Sequence, residues 1–422
     1  MKSLRKAIWL LSLGLFSFSL ASAQSPEYYK NRRGEILSRL INAAALIPSA
    51  WEGELESFRQ SNNFFYLTGI EQPDLLLLLA PSARSPETLF LPARNLEEGS
   101  MSEAWTGAKL GPGKGAEEQT GIAKTAAKNT FDFTFANLAG GLDKLYFDYT
   151  PGPLEGPVSA GEVFLRALRD KYPHLQILPF SRLVDSLRTV KDSSEIRTLQ
   201  QAVDITGASL RETIPQVRPG MFEYEVEALI EYGFARRGSQ RPGFPSIVGS
   251  GPNTTVLHYD KNRRKIGAGE LVLMDVGAEF DYYTADITRT VPADGRFTDR
   301  QREIYQLVLE AQKAGFKAVR PGVTLKEVHQ AAKNVIDSAG YGQYFIHYTS
   351  HFLGMDVHDV GSREIPLSPG MIITVEPGIY LPAESLGVRL EDDVLVTEDG
   401  CRVMSASIPK EVREIEALMQ SK

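Results

Sequence analysis

Hydrophobic and polar positions divide the chain into three stretches of different character. A short apolar run, Ala7 to Leu20, follows Lys2, Arg5 and Lys6 and closes on Ala21-Ser22-Ala23. From about Ser25 to Phe180, short helical patterns alternate with apolar runs. "DLLLLLA" (Asp74 to Ala80) and "TLFLPA" (Thr88 to Ala93) predict strands buried on both faces, the second stopped by Pro92. The glycines and Pro112 of "GAKLGPGKGAEEQTG" (Gly107 to Gly121) predict a loop. This half reads as an α/β domain of its own. Near Asp192 the pattern becomes a long amphipathic helix. Asp192 and Glu195 form a capping box, and Ile196, Leu199, Val203 and Leu210 keep one apolar face. The domain boundary is expected between about Arg182 and Lys191.

The second half repeats itself. "VRPGMFEYEV" begins at Val217 and "VRPGVTLKEV" at Val319, and Gly238 and Gly340 close the helices that follow. "GELVLMD" (Gly269 to Asp275) and "GMIITVE" (Gly370 to Glu376) each run from a glycine to a carboxylate. "VLHYD" holds His258 and "DVHDV" holds His358, again about one hundred positions apart. Arg-Pro-Gly alone could be ordinary turn chemistry. Four markers in the same order point to a duplicated unit, each copy a helix pair followed by strands. Two related halves facing each other would bring Asp275 and Glu376 together across a cleft. "LVLMDVGAEFDYYTADITRTV" (Leu271 to Val291) predicts two strands joined by a turn around Gly277. Tyr282, Thr284, Asp286 and Thr288 would share one face of the second strand.

Composition narrows this picture. A chain of 422 residues with 42% hydrophobic content suits two domains with sizeable cores. The basic-then-apolar start has the layout of a signal peptide cleaved near Ala23, which predicts export to the periplasm or medium. The alternative, a membrane anchor, is disfavoured because the run is shorter than the roughly 20 residues a spanning helix needs. Losing the three positive charges of Lys2, Arg5 and Lys6 takes the formal net charge from −7 to −10. So acidic a chain argues against nucleic acid as a partner. Cys401 is the only cysteine, so any bound metal must be held by oxygen and imidazole.

Asp275, Asp286, His351, Glu376 and Glu391 all fall in apolar, β-branched surroundings, where a lone carboxylate is costly to bury. Taken singly, each has an ordinary explanation as a paired acid or a core histidine. Gathered together, four carboxylates would repel one another and take up protons unless cations sat among them. Oxygen ligands with one imidazole suit Mn²⁺, Co²⁺ or Zn²⁺. Two such ions about 3.5–4 Å apart, bridged by carboxylates and a water, would generate hydroxide and polarise a carbonyl.

"MDVGAEFDYYTADITRT", "HYTSHFLGMDVHDVG", "ITVEPGIY" and "GVRLEDD" together resemble the signature segments of the pita-bread metallopeptidases, most closely the aminopeptidase P group. "ESFRQSNNFFYLTGIEQPD" (Glu56 to Asp74) is similar to that group's amino-terminal domain. The resemblance implies an α/β (α+β) architecture. A signal peptide (1–23) precedes a smaller α/β domain (24–183) and a pita-bread catalytic domain (190–419) of two pseudo-symmetric halves. It implies an exopeptidase that removes the residue preceding a proline, using two divalent ions, Mn²⁺ first and Co²⁺ or Zn²⁺ as substitutes. By this resemblance Asp275 holds one ion, His351 and Glu376 the other, and Asp286 and Glu391 both, with Glu376 as proton acceptor. His258, His347 and His358 orient substrate, and Arg389 supports a metal-binding aspartate. A homo-oligomer, dimer or tetramer, is also implied, with Trp105 reaching a neighbouring active site. Two other readings stand beside this one: a dipeptidase restricted to X-Pro, and a metal-free creatinase-like enzyme or binding scaffold.

Overall fold

The computed structural model describes residues 24–50, 58–92, 107, 109–149, 152, 155–156 and 158–421. The leader 1–23 and Trp105 lie outside the described residues. The chain forms two compact units, dividing between Phe180 and Ser181.

The first unit is built on a mixed sheet of six strands. They are β1 (Ala43–Pro48), β2 (Leu76–Leu79), β3 (Glu87–Leu91), β4 (Thr125–Ala127), β5 (Lys144–Phe147) and β6 (Gln176–Pro179), in the order β4-β3-β2-β1-β5-β6. β1 pairs antiparallel with β2, Ile47 opposite Leu77, and parallel with β5, Leu46 opposite Phe147. The all-leucine run of β2 is buried throughout, as expected of a strand covered on both faces. Phe131, Phe135, Leu165 and Leu168, from helices Phe131–Ala139 and Ala160–Lys171, pack on Phe90 and Phe147. The stretch Gly107 to Gly121 departs from the loop predicted for it, because Lys114–Thr120 is a helix. Its glycines flank that helix: Gly113 precedes it, and Gly121 ends it with φ +66°.

In the second unit, Asp192 caps the helix Ser193–Thr213. Its carboxylate accepts from the backbone N–H groups of Ser194 and Glu195, and Glu195 reaches back to the N–H of Asp192. Leu199, Val203 and Leu210 are buried along it. The helix pair Ser193–Thr213 and Glu223–Ala235 has a counterpart in Asp299–Ala318 and Leu325–Ser338. The repeated glycines repeat their geometry too. Gly220 and Gly322 have φ of +94° and +88°, and Gly238 and Gly340 have +89° and +84°. Only glycine adopts such angles freely, which is why these positions mark both copies.

Strands follow each helix pair. In the first copy they are β7 (Arg241–Pro242), β8 (Ile247–Ser250), β9 (Leu271–Val276), β10 (Ala278–Phe280), β11 (Tyr283–Thr284) and β12 (Ile287–Pro292). The second copy supplies β13 (Ile372–Val375), β14 (Gly378–Leu381), β15 (Leu386–Arg389), β16 (Asp392–Val396) and β17 (Cys401–Val403). They pair as β12-β9-β8, β13-β16-β17, β14-β15 and β11-β10-β7. The hairpin turn lies at Asp281–Tyr282, both with positive φ, and not around Gly277. Gly277 instead separates β9 from β10, and Asp286 sits in a break between β11 and β12. Because Ala285 and Asp286 belong to neither strand, Asp286 is freed from the strict alternation that the sequence suggested. Among the described residues, no helix is long and apolar enough to cross a membrane.

Candidate metal centre

Each of the four acids stands at or beside a strand end, where the backbone is held by a ladder but the side chain can turn inward. Asp275 is near the end of β9, paired with Thr288 on β12 and Ile247 on β8. Glu376 directly follows β13, and its backbone N–H is bound to Thr349 O at 2.8 Å. Glu391 lies between β15 and β16, its N–H on Thr288 O at 3.2 Å. These acids, with Asp286, His351, His258, His347, His358 and Arg389, line one cavity of about 440 Å³. All nine residues singled out from the sequence thus meet in one place.

The centre of this cavity has acceptors and almost no donors. His351 Nδ1 is 3.1 Å from the Phe352 carbonyl, which can only accept, so Nδ1 carries the proton. Burial lowers the pKa of His351 to about 4, leaving the ring neutral at pH 7. Its Nε2 lone pair then faces Asp286 Oδ2 at 3.4 Å, Glu376 Oε1 at 3.4 Å and Glu391 Oε1 at 4.0 Å. One ligand atom each from Asp286, His351 and Glu391 lie within 4.8 Å of one another. Burial, then Glu391 and Asp275, push the Asp286 carboxyl well above its usual range. Burial, then Glu376 and Asp275, do the same to Glu391. Glu376 is pushed up to about 8, chiefly by burial and against the pull of Arg389.

Around this centre runs a directed chain of donors. Arg389 gives Nη2 to Asp275 Oδ2 at 2.6 Å, Nη1 to the Tyr380 hydroxyl at 3.0 Å and Nε to Thr288 Oγ1 at 3.1 Å. Thr288 in turn donates to Glu391 Oε2 at 2.7 Å. Tyr380 donates to His347 Nε2 at 2.8 Å, and His347 Nδ1 donates to the Tyr348 carbonyl at 2.8 Å. His347 is neutral, its pKa lowered to about 3 mainly by burial, and Nδ1 is 3.6 Å from Glu376 Oε2. His358 packs edge-on against His351, ring centres 4.4 Å apart. His258 and His358 are both exposed at the mouth.

Two contributors escaped the sequence reading. Tyr380 stood within the quoted "ITVEPGIY" but carried no role until Arg389 and His347 were found on its hydroxyl. Asp393, fully buried, accepts the Asp286 backbone N–H on Oδ2 at 3.2 Å. The doubled acid of "LEDD" was its one signal, and nothing in the sequence separates it from Asp392, which pairs with Arg289 at 2.7 Å.

A divalent cation fits this donor set. Asp275 Oδ1 is buried with no protein partner, and three carboxyls that burial drives towards protonation converge on the lone pair of His351, a crowding that a divalent cation would relieve. Oxygen-rich ligands with one imidazole suit hard to borderline divalent ions.

Comparison with known proteins agrees with this chemistry. Residues 197–398 match the model of metallopeptidase family M24, and residues 29–146 match the aminopeptidase P N-terminal domain. The Xaa-Pro aminopeptidase of Escherichia coli is 32% identical over 439 residues, covering 93% of this chain and 97% of that protein. The Xaa-Pro dipeptidase of Pyrococcus furiosus is 39% identical over 224 residues, covering 52% of this chain and 64% of that protein. Zinc-substituted E. coli aminopeptidase P, solved in complex with product, superposes with a TM-score of 0.85 at 32% identity. That match covers 94% of this chain and 99% of the other.

Proposed function

Given that this chain belongs to metallopeptidase family M24 and is a metal-dependent exopeptidase, we propose that it releases the first residue of peptides whose second residue is proline. The observation that carries the reading is the electron-rich focus at His351 Nε2, faced by three carboxylates. The E. coli relative, similar over 93% of this chain, favours the aminopeptidase over the dipeptidase, whose likeness spans 52%.

In this reading Asp275, Asp286, His351, Glu376 and Glu391 would together hold the divalent ions. Mn²⁺ is the proposed ion, with Co²⁺ or Zn²⁺ as substitutes. Such ions supply Lewis-acid polarisation of the scissile carbonyl and a water acidified for attack. Glu376 is the proposed proton acceptor, a role it would take as a carboxylate in the metal-loaded enzyme. His258 and His358, exposed at the mouth, face the substrate carbonyls. His347 has both ring nitrogens engaged, Nε2 by the Tyr380 hydroxyl and Nδ1 by the Tyr348 carbonyl, so it holds Tyr380 in place beside the substrate. A bond to proline offers no N–H, so selection for it rests on shape and on carbonyl polarisation.

Export after cleavage near Ala23 is proposed as well, on the basic-then-apolar layout of the first 23 residues. So is a homo-oligomer, resting on the family resemblance.

The test compares hydrolysis of a tripeptide X-Pro-Y with that of a dipeptide X-Pro, alongside metal analysis of the purified protein. Cleavage of the tripeptide with about two divalent ions per chain is expected. Cleavage of the dipeptide alone would make this a dipeptidase, and full activity after metal removal would end the metal mechanism.

A further inference from the structure

The loop that carries His358 has no regular secondary structure between residues 353 and 361, yet it is tied down. Asp359 ties it. Its backbone N–H closes the loop on Phe352 O at 2.9 Å. Its side chain, 1% exposed, receives Lys191 Nζ at 3.1 Å and Arg188 Nη2 at 2.6 Å. Arg188 also reaches Asp356, on the same loop, at 2.8 Å. Burial alone would raise the Asp359 carboxyl, but Lys191 and Arg188 hold it below its usual range, so the cluster is ionic.

Both cations come from the segment just before the helix Ser193–Thr213, ahead of the residues that match the family model. The same segment holds the approach to Glu376. The Lys191 N–H binds Gly370 O at 2.9 Å, and Val190 bridges to Met371 at the head of β13. The loop is shaped around the lysine: a Cβ at Gly354 would fall 2.0 Å from Asp359 Oδ2 and 2.9 Å from Lys191 Cε.

We propose that Lys191 and Arg188, closed on Asp359, are positioning residues that set where His358 stands beside His351 and thereby control turnover. The proposal rests on His358 facing the substrate. Beyond Gly354 the loop pairs with no strand and can shift when one buried cation is lost, and a misplacement of about 1 Å at a reacting centre costs up to about a hundredfold in rate. Losing Lys191 leaves Arg188 on Asp359, so the carboxylate keeps one partner and the fold should survive.

The experiment measures kcat and KM of the full-length, metal-loaded protein on an X-Pro-Y peptide. The variants are Lys191→Met, Lys191→Gln, Lys191→Arg, His358→Ala and the double variant Lys191→Met/His358→Ala. Lys191→Gln is made alongside so that a folding failure of Lys191→Met leaves the comparison intact. The expected result is a fall in kcat of between about tenfold and a hundredfold for Lys191→Met, with metal content unchanged and most activity kept by Lys191→Arg. The double variant should lose no more than His358→Ala alone, since a clamp cannot misplace an absent imidazole. Wild-type kcat in Lys191→Met, or losses that multiply in the double variant, would overturn the clamp while leaving the role of His358 intact. Full activity in His358→Ala would instead remove the premise, and the proposal with it.

Discussion

Asp275 gives one carboxylate oxygen to Arg389, at 2.6 Å, and leaves the other buried with no protein partner. The pair divides the labour of a single side chain: one oxygen is anchored by the guanidinium, and the other is left for a ligand the protein does not supply. Arg389 is itself buried and also donates to Tyr380 and Thr288, so it organises both walls at once.

Replacing Arg389 should therefore damage metal binding before it damages the fold's outline. Arg389→Met leaves Asp275 as an uncompensated buried carboxylate, a change of about 3–5 kcal/mol in stability. Metal affinity should fall by about 10- to 100-fold, as for other residues that orient a ligand. Urea unfolding and calorimetric metal titration measure the two effects. Unaltered affinity would mean that Asp275 needs no anchor.

Glu376→Gln preserves shape and removes both charge and basicity. Loss of a general base costs about 10²- to 10⁴-fold in rate, and loss of a ligand adds to it. Circular dichroism and thermal unfolding of the metal-free variant should stay close to wild type, because the acid it replaces is destabilised by burial in that state. A variant turning over at the wild-type rate would contradict the assignment.

The pH dependence of stability has a definite sign. In metal-free protein the Glu376 carboxyl is raised from an ordinary value near 4.5 to about 8, so the folded state binds the extra proton. Its contribution is fully present below about 4.5 and is lost as pH rises through about 8. Asp286 and Glu391 shift in the same direction. His347 and His351, lowered to about 3 and about 4, act oppositely but only below their ordinary value of 6.5. The clean window is thus pH 6.5 to 8. There the Tm of chelator-treated protein should fall with rising pH, while added Mn²⁺ should raise it more at each step, since its ligands must be deprotonated. Thermal scans with and without chelator decide this; parallel curves would refute it.

Gly277 lies where the two segments that carry Asp275 and Asp286 approach closely. A Cβ there would lie 1.8 Å from Ala285 O and 2.9 Å from the Phe244 ring. Since the close neighbour is backbone, Gly277→Ala should cost about 1–3 kcal/mol and separate the two aspartates. A drop in both Tm and bound metal is expected, and wild-type values for both would show that the hairpin tolerates the spread.

Which residues could take part was legible along the chain. Acids at the ends of apolar runs, the paired glycines Gly220/Gly322 and Gly238/Gly340, and the capping box at Asp192 follow local rules. Burial cost, φ angle and unsatisfied N–H groups act over a few residues and leave their mark in order along the chain. Tertiary structure alone decided how those residues are wired. The hairpin turn fell at Asp281–Tyr282 instead of Gly277, and Asp286 left the strand, because strand pairing sets where the chain must bend. That Tyr380 links Arg389 to His347, and that Lys191 lies on Asp359, 168 positions further along the chain, depends on packing between distant segments. Hydrogen bonds and ion pairs of that reach depend on three-dimensional distance, which no local pattern encodes.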